Sequence, residues 1–98
     1  MEKPNVGSIL AGKYHYNDTI WTFYRVLKVT ETTVTLAKLE KSGYGNYNGG
    51  EYYVRPCKEM IGTPFVKRIP KGKDYIKNDY EVIRPWDGNT CVEYHGMN

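Results

Sequence analysis

The chain reads as an all-β protein, and three observations predict it. Residues 20–39, IWTFYRVLKVTETTVTLAKL, are dominated by β-branched and aromatic residues, carry no Gly or Pro, and are divided by a polar turn near Thr30 to Thr32. Shorter apolar runs elsewhere are separated by Gly, Pro, Asn and Asp, the residues that supply turn geometry. No segment repeats its apolar residues at helical spacing for long enough to build a buried helix face. The predicted architecture is a small, strongly bent antiparallel sheet or barrel of roughly five to seven short strands, SH3-like, with an OB-like barrel as second choice.

Each element follows from its residues. Val6 to Leu10 predicts a first strand, continued by the alternating Gly12 to Tyr16, and Asn17-Asp18 supplies the next turn. In the second strand, Ile20 to Val29, Trp21, Phe23, Leu27 and Val29 share one face, while Ile20, Thr22, Tyr24, Val26 and Lys28 share the other. Both faces are partly apolar, as expected of a strand curling within a barrel. Thr33 to Leu39 alternates in the same way and predicts the antiparallel partner.

Residues 41–50, KSGYGNYNGG, predict a flexible loop whose only large side chains are Tyr44 and Tyr47. Strand character returns at Glu51 to Arg55, and Pro56 is expected to end it because proline has no N–H for a ladder. Cys57 to Ile61 then reads as a helical turn or loop closed by Gly62. Phe65 to Ile69 reads as a strand between Pro64 and Pro70, followed by a lysine-rich link. Tyr80 to Arg84 is the next strand, Asp87-Gly88 a turn, and Cys91 to Tyr94 the last strand. Trp21 and Trp86 are expected in the core.

The 98 residues predict one domain, 1–98, long enough for a modest core without a metal or a cross-link. No apolar run has the length of a membrane span, and Met1 to Asn5 has no apolar stretch to act as a signal peptide, so a cytoplasmic location in a host cell is expected. Of the two cysteines, Cys57 and Cys91, neither lies in a C-x-x-C motif, and reduced, partly buried thiols are expected.

Charge is uneven. Lys67, Arg68, Lys71, Lys73 and Lys77 stand against Asp74 alone, whereas Asp79, Glu81, Asp87 and Glu93 stand against Arg84. The two blocks read either as partners across a sheet or as faces for different partners. The acids look like strand-flanking surface charge.

Catalytic equipment is missing from this pattern. His15 and His95 each sit beside a tyrosine, neither cysteine lies in a motif that would lower its pKa, and the glycine loop is no phosphate-binding loop. The sequence predicts no catalytic residue, no metal site, no cofactor and no enzyme activity. What it offers instead is recognition. Ten tyrosines pair apolar rings with hydroxyls. Tyr44, Tyr47, Tyr52 and Tyr53 are the expected contact residues, with Lys67, Arg68, Lys71, Lys73 and Lys77 as a charged rim.

The passages FYRVLKVTETTVTLAKLE and YEVIRPWDGNTCVEY, with Ile61-Gly62-Thr63-Pro64-Phe65 and the basic Val66 to Pro70 between them, resemble small β proteins of bacteriophages and conjugative elements. These share a Phe-Tyr-x-Val hairpin, a central basic strand and a Trp-Asp-Gly near the C-terminus. The likeness spans most of residues 20–94, and the glycine–tyrosine loop departs from it. It carries no catalytic residues. It implies a phage or mobile-element accessory protein that binds and inhibits a host nucleic-acid-targeting defence protein, as anti-CRISPR proteins do. The alternatives are direct nucleic-acid binding through the basic strip and a phage structural or regulatory role.

Overall fold

The computed structural model describes residues 1–46 and 50–95. They form the all-β fold the sequence predicts, with seven strands: β1 (Ile9–His15), β2 (Thr19–Val29), β3 (Thr33–Gly45), β4 (Glu51–Arg68), β5 (Ile76–Asn78), β6 (Glu81–Pro85) and β7 (Cys91–Tyr94). Among the described residues no helix is long and apolar enough to cross a membrane.

All strand pairs are antiparallel, in the order β3-β4-β7-β2-β1-β6-β5, and β3 also pairs with β2. Strands β2, β3, β4 and β7 therefore form a circuit. It is only partly closed, because among the described residues Thr19↔Tyr94 is the single ladder pair between β7 and β2. From the other edge of β2, strands β1, β6 and β5 continue the sheet.

This topology explains why β2 is apolar on both faces: each face covers a core. Trp21 and Phe23 join Ala11, Leu39 and Val54 on one side, whereas Tyr24 and Val26 join Leu10, Val34, Leu36, Ile76 and Ile83 on the other. The expected alternation fails beyond Val26. Leu27 is an extra residue in the β2–β3 ladder, and this bulge turns Val29 onto the Tyr24 side. Trp21 and Trp86, expected in the core, are half-buried and pack against the outside of the Phe23 cluster.

The largest departure from expectation is β4. Neither Pro56 nor Gly62 nor Pro64 ends it, and residues 57–61 form no helical turn. Two bulges absorb the interruptions: Glu40 of β3 lies opposite Cys57 to Glu59, and Ala37 lies opposite Gly62 to Pro64. Bulges are where a strand tolerates a residue without an N–H, and Gly62 takes the left-handed φ of 74° that a side chain would resist. The predicted loop also shrinks, since Lys41 to Gly45 belong to β3. The first strand starts later than expected, at Ile9, leaving Val6 exposed outside it. The lysine-rich link contains the short strand β5, and Asp79 turns it tightly into β6 with a φ of 53°.

Candidate functional site

Of the expected contact residues, Tyr44, Tyr52 and Tyr53 fall at one end of the β3–β4 ladder and Lys67 and Arg68 at the other. At the far end of the β3–β4 hairpin Tyr44 lies directly across from Tyr53, and Gly45 across from Tyr52. At the near end Thr33 lies across from Arg68 and Val34 across from Lys67. Nearly the whole of β3 separates them, roughly 35 Å of extended chain, in a molecule whose longest extent is 42 Å. Lys67 and Arg68 thus do not rim the tyrosine end.

At the tyrosine end, the rings of Tyr44 and Tyr53 stack with centroids 5.3 Å apart and planes 24° from parallel. Direct cross-strand pairing brings two rings into such contact. The Tyr53 hydroxyl donates to the Glu51 carboxylate, and the Tyr94 hydroxyl donates to its other oxygen at 3.5 Å. That neighbouring carboxylate raises the Tyr53 pKa. Tyr44 and Tyr94 are 65% and 51% exposed, which makes this an apolar, donor-rich surface around one acid. Tyr94 was not among the expected contacts, and β4–β7 pairing is what brings it there. Tyr52 points the other way. It is half-buried against the Phe23 cluster, and its ring covers Gly43 so closely that any Cβ there would strike it. Tyr47 lies outside the described residues.

At the basic end, Arg68, Lys71, Lys73 and Lys77 are exposed and Lys67 is half-buried. Among the described residues none of these five forms an ion pair. The oppositely charged blocks do meet in the β5–β6 hairpin, with Lys77 across from Val82 and Asn78 across from Glu81. Their ion pair joins the minority charge of each block, Arg84 to Asp74 at 3.8 Å, and leaves the lysines facing solvent. The Tyr75 ring lies between two of these cations, 5.8 Å from Lys73 Nζ and 5.4 Å from the Arg84 guanidinium carbon.

Two acids that looked like surface charge are buried. Glu81 accepts from the Tyr24 hydroxyl, and from Asn78 Nδ2 at 3.1 Å. Glu93 accepts from the Trp21 backbone N–H at 2.9 Å, from Lys41 Nζ at 2.6 Å and, with His95 protonated on Nε2, from His95 at 3.1 Å. Burial alone would raise the Glu93 pKa, but the Lys41 ammonium, the Trp21 N–H and His95 together hold it below the usual carboxylate value. The period-two pattern carried a signal for Glu81, since alternation places it on the same face as buried Ile83.

Cys91 donates to the Asn89 carbonyl at 3.8 Å, and its thiol pKa is raised by burial and by Asp87, the reverse of an activated nucleophile. His15 Nδ1 bonds Thr19 Oγ1 at 2.9 Å. Among the described residues no group of three or more His, Cys, Asp or Glu side chains is placed to hold a metal ion. Comparison with protein-family models, curated proteins and solved structures finds no match to the chain.

Proposed function

We propose that the chain is a non-enzymatic binding module that takes a protein partner at its tyrosine end. The observation that carries this reading is the exposed Tyr44–Tyr53 stack with Tyr94 beside it, held by hydroxyl bonds to Glu51. Rigid tyrosines supply contact area at low entropic cost and anchor protein interfaces. The central Glu51 carboxylate would repel a phosphate backbone, and Lys67 and Arg68 lie at the opposite end of the hairpin. The resemblance to phage and mobile-element proteins suggests the partner's class: a host nucleic-acid-targeting defence protein, such as a CRISPR effector, inhibited by occlusion.

The test is complex formation with a panel of purified effectors, followed by cleavage assays. A stable complex that blocks cleavage, lost on Tyr44→Ala with Tyr94→Ala and kept on Lys71→Glu with Lys73→Glu, supports the proposal. No complex with any effector removes it.

Direct nucleic-acid binding is the second reading, favoured by the unpaired lysines and the Tyr75 ring between Lys73 and Arg84. It requires a gel shift by the protein alone that weakens steeply with salt and disappears on Lys71→Glu with Lys73→Glu.

A further inference from the structure

A second candidate recognition site is a cleft of about 320 Å³ lined by both tryptophans. Its floor is built by register. Trp21, Lys13 and Val82 form one row across β2, β1 and β6, and Phe23, Ala11 and Arg84 form the next. Ala11 is the small residue among large ones, and the missing bulk opens the hollow. Trp86 walls one side, and Thr90, Cys91 and Val92 wall the other. The volume is at the lower end of the roughly 300–1,000 Å³ typical of small-molecule sites.

Both indoles are fixed without a ligand. Trp21 Nε1 donates to the Val92 carbonyl at 3.0 Å, and Trp86 Nε1 to the Asn89 carbonyl at 2.8 Å. The Trp86 backbone N–H donates to Ile9 at 3.0 Å, and the Phe23 ring meets the Trp86 ring edge-on at 6.0 Å. Rings held this way lose little freedom when a planar group docks against them.

The charge around the cleft is mostly positive. Lys13 Nζ stands 5.6 Å from the Trp21 ring centroid, and among the described residues it has no ion pair. Arg84 also lines the cleft, exposed and ion-paired to Asp74 at 3.8 Å, and Arg55 lies over Trp86 at 5.5 Å. The one acid of the lining, Asp87, accepts from the Asn89 N–H at 2.9 Å within its own turn. An aromatic slot with cations at its rim suits a ligand that is flat at one end and anionic at the other.

We propose that the Trp21–Trp86 cleft binds a nucleoside monophosphate, with the base against the indoles and the phosphate at Lys13 and Arg84. Val92 of the cleft pairs with Tyr53, but none of Tyr44, Tyr53 and Tyr94 lines it, so either proposal can fail alone.

The chain's only tryptophans both line the cleft, so their indole N–H resonances in an ¹⁵N-labelled sample report directly on it. Titration with AMP, GMP, CMP and UMP should shift both resonances and saturate below about 1 mM for at least one of them. Adenosine and inorganic phosphate, each carrying half of the chemistry, should bind at least about tenfold more weakly than AMP or the best monophosphate. Lys13 is exposed, so Lys13→Glu should fold normally and weaken binding by about tenfold or more, while Lys13→Arg retains it. Tyr44→Ala should change nothing. Saturation with none of the four monophosphates overturns the proposal. So does equal binding of the bare nucleoside, equal binding of inorganic phosphate, or indifference to Lys13→Glu in a folded protein.

Discussion

The two cores on either side of β1 and β2 each enclose a carboxylate, and they hold it by different means. On the Phe23 side, Glu93 is met by an ammonium, a backbone N–H and an imidazole. On the Tyr24 side, Glu81 is met by a phenol and an amide, both neutral donors. A buried ion is tolerated only when charge or hydrogen bonds replace its lost hydration. Lys41 does this for Glu93 from the rim, with its side chain 34% exposed, and also donates to the Trp21 carbonyl at 2.7 Å. One strand circuit is thus pinned by charge where its β7–β2 closure is thinnest, since Glu93 and Thr19↔Tyr94 belong to the same junction. The opposite core is pinned by hydrogen bonds alone.

Removing each acid should expose the difference. Glu93→Ala leaves a buried N–H and a half-desolvated ammonium without their acceptor and should cost about 3 kcal/mol or more. Glu81→Ala leaves only neutral donors, one of which can turn to solvent, and should cost about 1–2 kcal/mol. Urea unfolding of the two variants measures both, and equal losses would break the comparison.

The pH response should separate the cores again, with smaller effects. The folded Glu93 pKa lies below its ordinary value of 4.5, so folding favours the ionised form. Its contribution is complete above that ordinary value and is lost as pH falls through the lower, folded one. Glu93→Gln should therefore flatten the acid limb of a stability-against-pH curve. Tyr24 behaves in the opposite sense. Burial, then the Glu81 carboxylate, raise its pKa above 10.0, so its contribution is complete below that value and is lost as pH climbs toward the folded one. Tyr24→Phe keeps the edge-on contact with Phe65, should cost about 1 kcal/mol at neutral pH, and should flatten the alkaline limb only.

How much of this was legible in the sequence depends on the range of the interactions involved. The β2–β3 hairpin is written in adjacent residues, as alternating side chains and a polar turn, and it was readable from Ile20 to Leu39. Strand β4 was not, because Pro56, Gly62 and Pro64 are local stop signals whose effect is cancelled by bulges set opposite β3. Glu93 was misread for the same reason: its partners Lys41 and Trp21 are distant in sequence, and nothing near it announces burial. Of the residues singled out for contact, Tyr44, Arg68, Lys71, Lys73 and Lys77 are exposed and Tyr52, Tyr53 and Lys67 half-buried, and the distance from Tyr44 to Arg68 depends on a hairpin length that the misread prolines concealed. The tryptophan cleft needed three strands in register before it could be seen at all.

Gly12 offers a finer probe of the Tyr24-side core. Its missing side chain leaves the space that the Glu81 carboxylate occupies, and a Cβ there would lie 2.8 Å from Glu81 Oε2. Gly12→Ala must therefore displace the carboxylate from Tyr24 or push the strands apart, costing about 1–2 kcal/mol. If the first happens, the alkaline limb should flatten less than in Tyr24→Phe, since burial still raises the phenol's pKa when the Glu81 acceptor is lost. If stability falls while the alkaline limb keeps its wild-type shape, the strands have parted and the Tyr24–Glu81 bond has survived; if stability does not fall, Glu81 does not fill the Gly12 space as tightly as the geometry implies.

The smallest effect on stability should come from the most exposed ring. Tyr44 contributes one stacked contact at the end of a ladder and leaves the Tyr53–Glu51 bond intact when removed. Tyr44→Ala should therefore shift the urea midpoint by no more than about 0.5 kcal/mol of stability. A residue that matters so little to folding, yet presents a large aromatic surface to solvent, is the right place to separate binding from stability. Loss of effector binding in this variant with unfolding unchanged assigns the tyrosine end to recognition. A loss of stability comparable to that of Tyr24→Phe would instead make the Tyr44–Tyr53 stack a structural clamp on the β3–β4 tip, leaving its exposure without a functional reading.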